Sequence, residues 1–325
     1  MNDRAVVLLE QYEIEVLRTR KGRGAILCDT NQGCLIFKEY VGNENKIALQ
    51  NKLLQNIQLH NQVQVEQIIP TKENALLVKD LDGTSYVLKT YVDGRECNIY
   101  EKDECKEAMV LLAKLHEGMV LPEDTENLGN IYSPSIEYEK HNRELKRVRK
   151  YLKKRDQKTR FEIQLTNTFD YFLEQALAIS EEWNQYSNLK ERKPYIFCHG
   201  DYQYHNILFG NKGWYVMNFE KCIADDPIRD IYLMLRKLLE KSGWDIAFGK
   251  ELLEAYERIR PISALSRIDL YYRMAYPEKF WKIANFYYNS GKAWIPEKNS
   301  EKLEKVILQE KQKKYFLEEV FQKIR

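Results

Sequence analysis

The hydrophobic period of this chain shifts from mostly strand to mostly helix near Asp93-Gly94. Upstream, the pattern is mainly that of strands. Residues 13–18 alternate polar and apolar, as a half-buried strand does, and Lys21-Gly22-Arg23-Gly24 is a turn signal. Residues 25–28 and 35–40 read as two further strands around Asn31-Gln32-Gly33. From 44 to about 59 the spacing becomes helical, with Ile47, Leu49, Leu53, Leu54 and Ile57 as the apolar stripe. Residues 75–78 and 86–89 flank Asp82-Gly83, a pair favoured in tight hairpins. Downstream of Gly94 helical spacing takes over: 108–116 carries Met109, Leu111, Leu112 and Leu115, and helices resume from about Arg229 to the end. Only 207–209 and 214–217, around a turn at 210–213, interrupt it as short strands. The pattern predicts an α+β protein, with a small antiparallel-sheet lobe over 1–93 and a large helical lobe over 94–325.

Composition narrows the class. The apolar set is 44% and the charged set 31% of 325 residues, which excludes a disordered or collagen-like chain. Lysine and arginine number 51 against 49 acids, a net +2, which argues against a general polyanion binder. The basic run 143–160 has ten Lys/Arg, but Leu145, Val148 and Leu152 form an apolar stripe within it. That stripe points to a solvated helix rather than a nucleic-acid surface, with attraction of an anionic substrate or partner as its use. No run of 18 apolar residues exists, so no membrane-spanning helix is expected, and the apolar run 6–9 is too short for a signal peptide. Six cysteines form no C-x-x-C pair and read as reduced thiols of an intracellular protein, and H-E-x-x-H is absent.

The segment that carries chemistry is Cys198-His199-Gly200-Asp201-Tyr202-Gln203-Tyr204-His205-Asn206-Ile207-Leu208, preceded by apolar Tyr195-Ile196-Phe197. A tight loop between Asp201 and Asn206 lets both side chains converge on one phosphate. The segment resembles the HGDxxxxN motif of the aminoglycoside phosphotransferase and choline kinase families. The resemblance implies a two-lobed protein-kinase-like fold with the site in the cleft between the lobes. It also implies that Asp201 accepts the proton of a substrate hydroxyl and that Asn206 binds the metal. Lys38, on the third strand, would reach the nucleotide phosphates, and the backbone of Thr90, Tyr91 and Val92 would form the adenine-holding hinge. His116 reads as a packed structural residue, and Asp230 as the N-cap of the next helix and a brace for the loop.

One position departs from the pattern. About a dozen residues after Asn206, where the family places a magnesium-binding Asp, the chain reads Val216-Met217-Asn218-Phe219-Glu220. Asn218 offers one neutral oxygen, so either Glu220 supplies the charge or the protein is a weak or inactive kinase. The glycine-rich loop is degenerate, and neither Glu44 nor Glu66 can be assigned as the ion-pair partner of Lys38.

Residues 236–245 and 276–288, with Asp93-Gly94-Arg95-Glu96-Cys97, resemble the spore coat protein CotS family, kinase-like proteins of endospore formers. The resemblance implies a coat-associated protein, assembled in the mother-cell cytoplasm, that uses ATP and Mg2+ to phosphorylate a hydroxyl of a small-molecule or coat-associated acceptor. The alternative is a structural coat component, in contact with other coat proteins, that keeps the fold without the chemistry. Tyr271, Tyr272, Trp281, Tyr287 and Tyr288 read mostly as core.

Overall fold

Short hairpins build the first sheet. The computed structural model describes residues 6–22, 24–60, 62–120, 134–187, 197–290 and 297–321. Strands β1 (Val16–Gly22), β2 (Ala25–Thr30) and β3 (Gly33–Glu39) run antiparallel. Gly24 and Gly33, at their turns, have φ of 69° and 106°, which glycine adopts at no steric cost. Helix α1 (Glu44–His60) follows, then β4 (Gln64–Val65), β5 (Val78–Lys79) and β6 (Ser85–Thr90). The expected hairpin at Asp82-Gly83 joins β5 to β6, and the five-stranded sheet has the order β1-β2-β3-β6-β5. One of its faces buries Leu9, Tyr12, Ile26, Cys28, Leu35, Phe37, Val78 and Leu88 in a continuous core.

The chain then leaves this sheet through β7 (Arg95–Glu96) and becomes mostly helical: α2 (Lys102–Gly118), α3 (Pro134–Lys153) and α4 (Arg160–Ser187). Strands β8 (Phe197–Cys198), β9 (Ile207–Gly210), β10 (Gly213–Val216) and β11 (Ile223–Ala224) bracket the HGD segment. A four-stranded sheet, β4-β10-β9-β7, ties that segment to the N-terminal strands, while β8 pairs with β11. Helices α5 (Ile228–Ser242), α6 (Ile246–Glu257), α7 (Ala264–Ala275), α8 (Glu278–Asn289) and α9 (Glu297–Phe321) complete the described chain.

Two compact units emerge. The first takes residues 1–131, 194–234 and 254–260, and the second takes 132–193, 235–253 and 261–325. In the second, α3 and α4 pack through buried Leu145, Val148, Leu152, Phe161, Leu165 and Phe169. The stripe expected within the basic run is thus real, although the helix ends at Lys153 and a new one starts at Arg160.

Several boundaries differ from expectation. The first strand starts at Val16, not at residue 13, because it is an edge strand with polar residues on both faces, so alternation does not mark it. Lys21 and Gly22 belong to that strand, and Arg23 lies outside the described residues, as do Tyr195 and Ile196. Residues 75–77 are not strand, since Thr71 and Ala75 close a turn that holds Asn74 at φ 62°. On α1 the buried position is Gln50, while Leu49 is only half-buried. Of the five C-terminal aromatics only Tyr287 is fully buried, and the others are half-exposed.

Candidate functional site

The HGD loop is fixed by its backbone before any side chain acts. Gly200 has φ 77°, and a Cβ there would lie 2.0 Å from the carbonyl oxygen of Lys221. Only glycine lets the two segments approach so closely. The amides of His199 and Gly200 donate to the two oxygens of Asp230, at 2.6 and 2.8 Å. His116 Nε2 donates to Asp230 at 3.2 Å, and its Nδ1 accepts from the Tyr256 hydroxyl at 2.8 Å. Burial pushes the His116 imidazole down. Burial also opposes ionisation of Asp230, but its hydrogen-bond donors outweigh it and hold the carboxyl below the usual aspartate range. Asp230 therefore braces the loop as expected, but it does not cap α5. Asp226 does, accepting from the amide of Ile228 at 3.0 Å. His199 donates from Nε2 to the Met217 carbonyl and accepts the Asp201 amide on Nδ1, so it joins the loop to the end of β10.

On this frame a chain of hydrogen bonds crosses the site. Lys38 Nζ, from β3, donates to Asn218 Oδ1 at 2.7 Å. Asn218 Nδ2 donates to Asn206 Oδ1 at 2.8 Å, and Asn206 Nδ2 donates to the carbonyl of Asp201 at 2.8 Å. The ammonium can only donate, which fixes the orientation of both amides. Asn218 itself has φ 69° and ψ 56°, a left-handed conformation that asparagine tolerates better than most residues. Asp201 is 27% exposed at its side chain, with Oδ2 2.9 Å from Lys221 and Oδ1 accepting from Gln203 at 3.1 Å. The structure thus brings Lys38, Asp201, Asn206, Asn218 and Glu220 together, across 180 residues of sequence between Lys38 and Asn218.

Behind them lies a pair that sequence reading left unassigned. Glu220 Oε1 lies 2.6 Å from both Lys38 and Lys89. Lys89 is fully buried and also pairs with Glu66 at 2.8 Å, while the same Glu66 oxygen accepts the amide of Phe219. Burial pulls the Lys89 ammonium down, but the charges of Glu66 and Glu220 outweigh it and leave its pKa above the usual lysine value. Burial opposes ionisation of Glu220 too, yet Lys89 and Lys38 hold its carboxyl at about 2. Glu66 therefore does serve a lysine, but Lys89 rather than Lys38. Glu44 sits on the surface near Lys79, at 3.6 Å. The structure gives the reason: Val87, Leu88 and Lys89 are buried in succession, and a lysine on a strand buried on both faces needs a carboxylate.

At the hinge, the Thr90 amide donates to the Gln67 carbonyl and the Tyr91 amide to that of Cys34. The Thr90 carbonyl accepts from the Tyr215 hydroxyl at 3.0 Å. These groups serve the fold. The oxygens of the site suit a hard cation in type. In arrangement they do not fit Mg2+. Each amide oxygen already accepts a hydrogen bond and one oxygen of Glu220 is shared by two ammonium groups, so a cation would have to displace these bonds.

Residues 5–320 match the family described as "Spore coat putative kinase YutH". A stretch of 134 residues is 29% identical to spore coat protein S of Bacillus subtilis (strain 168), covering 40% of this chain and 38% of that protein's length. Among solved structures, an aminoglycoside phosphotransferase from Alicyclobacillus acidocaldarius superposes with a TM-score of 0.84 at 16% identity, covering 98% of this chain and 96% of that one. The spectinomycin phosphotransferase APH(9)-Ia, in complex with ADP and spectinomycin, gives 0.61 at 16% identity, covering 94% and 92%. The microcompartment-associated aminopropanol kinase gives 0.61 at 12% identity, covering 93% of each chain. The fold is that of the aminoglycoside phosphotransferases, as the HGD segment implied.

Proposed function

The chain belongs to the YutH family of kinase-like spore coat proteins, and from that membership and the site geometry we propose that it binds ATP and transfers its terminal phosphoryl group to a hydroxyl. The observation that carries this reading is the bond chain from Lys38 through Asn218 and Asn206 to the Asp201 loop. Lys38 is placed to meet phosphate oxygens, exchanging its bond to Asn218 for one to the nucleotide. Each oxygen of Asp201 keeps a lone pair beside its present partner, so the carboxylate can orient an acceptor hydroxyl. The hydroxyl oxygen forms the new bond to phosphorus, its proton passes to Asp201, and the bond to the departing ADP oxygen breaks. No metal-dependent step is assigned to these residues, and Mg2+ would arrive with the nucleotide phosphates. The nucleotide-bound relatives of the same fold support the nucleotide. Family membership supports a place in the spore coat, with a small or coat-associated molecule as acceptor.

The test is calorimetric titration with ATP, followed by turnover assays on purified coat extract and small polyols. Asp201→Ala should keep nucleotide binding and lose transfer by about a hundredfold to ten-thousandfold. Wild-type protein that binds no nucleotide overturns the reading. A second reading has its own observation: the neutral Asn206–Asn218 pair closes the position where a carboxylate would hold a metal. On that reading the chain is a structural coat component, and Asp201→Ala assembles into the coat with no loss in any assay.

A further inference from the structure

The second unit holds a cavity of about 330 Å³ that opens to solvent, within the range usual for small-molecule sites. Its apolar wall is Phe172 from α4, Trp244 after α5, Met274 from α7, Phe280 from α8 and Val306 from α9, and charged side chains of both signs, Arg236, Glu240, Glu278 and Glu310 among them, line the rest. At the same cavity lies Lys313 of α9, only 9% exposed. Its ammonium donates to the carbonyls of Ala275 and Tyr276, at 3.1 and 3.5 Å, at the C-terminal end of α7. Two of three N–H groups are thus used, both partners are neutral, and the ammonium also lies 5.9 Å from the centre of the Trp244 ring.

No carboxylate pairs with Lys313 among the described residues. Glu240 is taken by Arg236 at 2.6 Å and Lys279 at 3.3 Å. Glu310 accepts from the Tyr171 hydroxyl and the Gln175 amide on one oxygen, both at 3.0 Å. A buried cation with no direct ion pair is costly, and here burial pulls the Lys313 ammonium below the usual lysine range although the charges of Glu310 and Glu240 oppose it. A second feature marks the same place. Trp244 is held at φ 64°, directly after Gly243 at φ 71°. A bulky residue persists in that conformation only where its surroundings hold it there, and such strain gathers at binding sites. On the surface of α9, exposed Lys298, Lys302 and Lys305 line the same cavity and would draw an anion towards it.

We propose that this cavity binds a small organic monocarboxylate with an apolar body, its carboxylate meeting the third N–H of Lys313 and its body lying against Trp244 and Phe280. Lys313 is the one lysine of the cavity that is buried, and a single buried charge calls for one negative charge beside it, while Lys298, Lys302 and Lys305 stay exposed to solvent. The neighbouring carbonyl oxygens of Ala275 and Tyr276 disfavour a dianion such as a phosphate monoester. The site is independent of the nucleotide reading, since none of its residues belongs to the HGD segment.

The probe is decanoate, titrated into the full-length protein while tryptophan fluorescence and melting temperature are followed, with decanol as the neutral counterpart. Decanoate should bind saturably and raise the melting temperature with concentration. Decanol should bind about tenfold to a hundredfold more weakly, the factor expected for a charge-assisted hydrogen bond. Lys313→Met keeps the length of the side chain, removes the charge, and should lose the same factor for decanoate. Trp244→Phe should abolish most of the fluorescence change and keep the thermal shift. Equal affinity for decanoate and decanol, or full decanoate affinity in Lys313→Met, overturns the proposal. So does the absence of saturable binding. If Lys313→Met does not fold, the wild-type ratio of decanoate to decanol decides alone.

Discussion

Asn218 shows how much one side chain can decide. A carboxylate at that position would be nearly isosteric, but it would set an acceptor against Asn206 Oδ1, to which Asn218 now donates. We expect Asn218→Asp to lower the melting temperature in EDTA and to recover it with Mg2+, because a cation between the two oxygens replaces the lost hydrogen bond. The wild type should be insensitive to Mg2+, and an equal response of the two proteins would refute this account. Glu220 gives a prediction in pH. Its carboxyl is held at about 2 against an ordinary 4.5, so its contribution to stability is complete above 4.5 and lost as pH falls from there towards 2. Glu220→Gln should flatten the acid limb of the urea midpoint between about pH 5 and about pH 2. Asp201, Asn206, Asn218 and Glu220 were legible in the sequence because one short stretch carries them all. Lys89 and Glu66 were not, since their partnership depends on a strand pairing that no local pattern reveals.

At the scale of elements, the first turn of α5 is the anchor of the HGD loop. Asp230 is fully buried and accepts from two loop amides and His116. Asp230→Ala should cost about 3–5 kcal/mol in urea unfolding, the usual loss when buried donors and a charge lose their partner. Asp230→Asn keeps one acceptor and should cost less. Elements with a clear period or a turn signal were legible, α1, the β5–β6 hairpin and the β9–β10 hairpin among them. The edge strand β1 was misplaced because its exposed residues follow no alternation. The two-residue strands β4, β7, β8 and β11 left no sequence signal, since they exist through partners distant in the chain. Gly94 makes the same point: a Cβ there would lie 2.6 Å from the Phe209 carbonyl oxygen, a demand set by β7 meeting β9.

For the whole molecule, the six cysteines report on one unit alone, since all lie within the first. They are free, and five are buried, with Cys34 half-buried. Burial pushes the thiols of Cys97, Cys105 and Cys222 up to about 12 and that of Cys28 to about 11. A thiol-specific reagent at neutral pH should therefore label Cys34 first. The other five should react only at the rate at which the first unit opens, and immediate labelling of three or more would contradict that burial. The same arrangement makes the five buried thiols of the folded chain indifferent to oxidants around it, because a sealed thiol is out of an oxidant's reach. A disulfide through any of the five would then be a record of history rather than of address, formed by a molecule that met the oxidant before its first unit had closed.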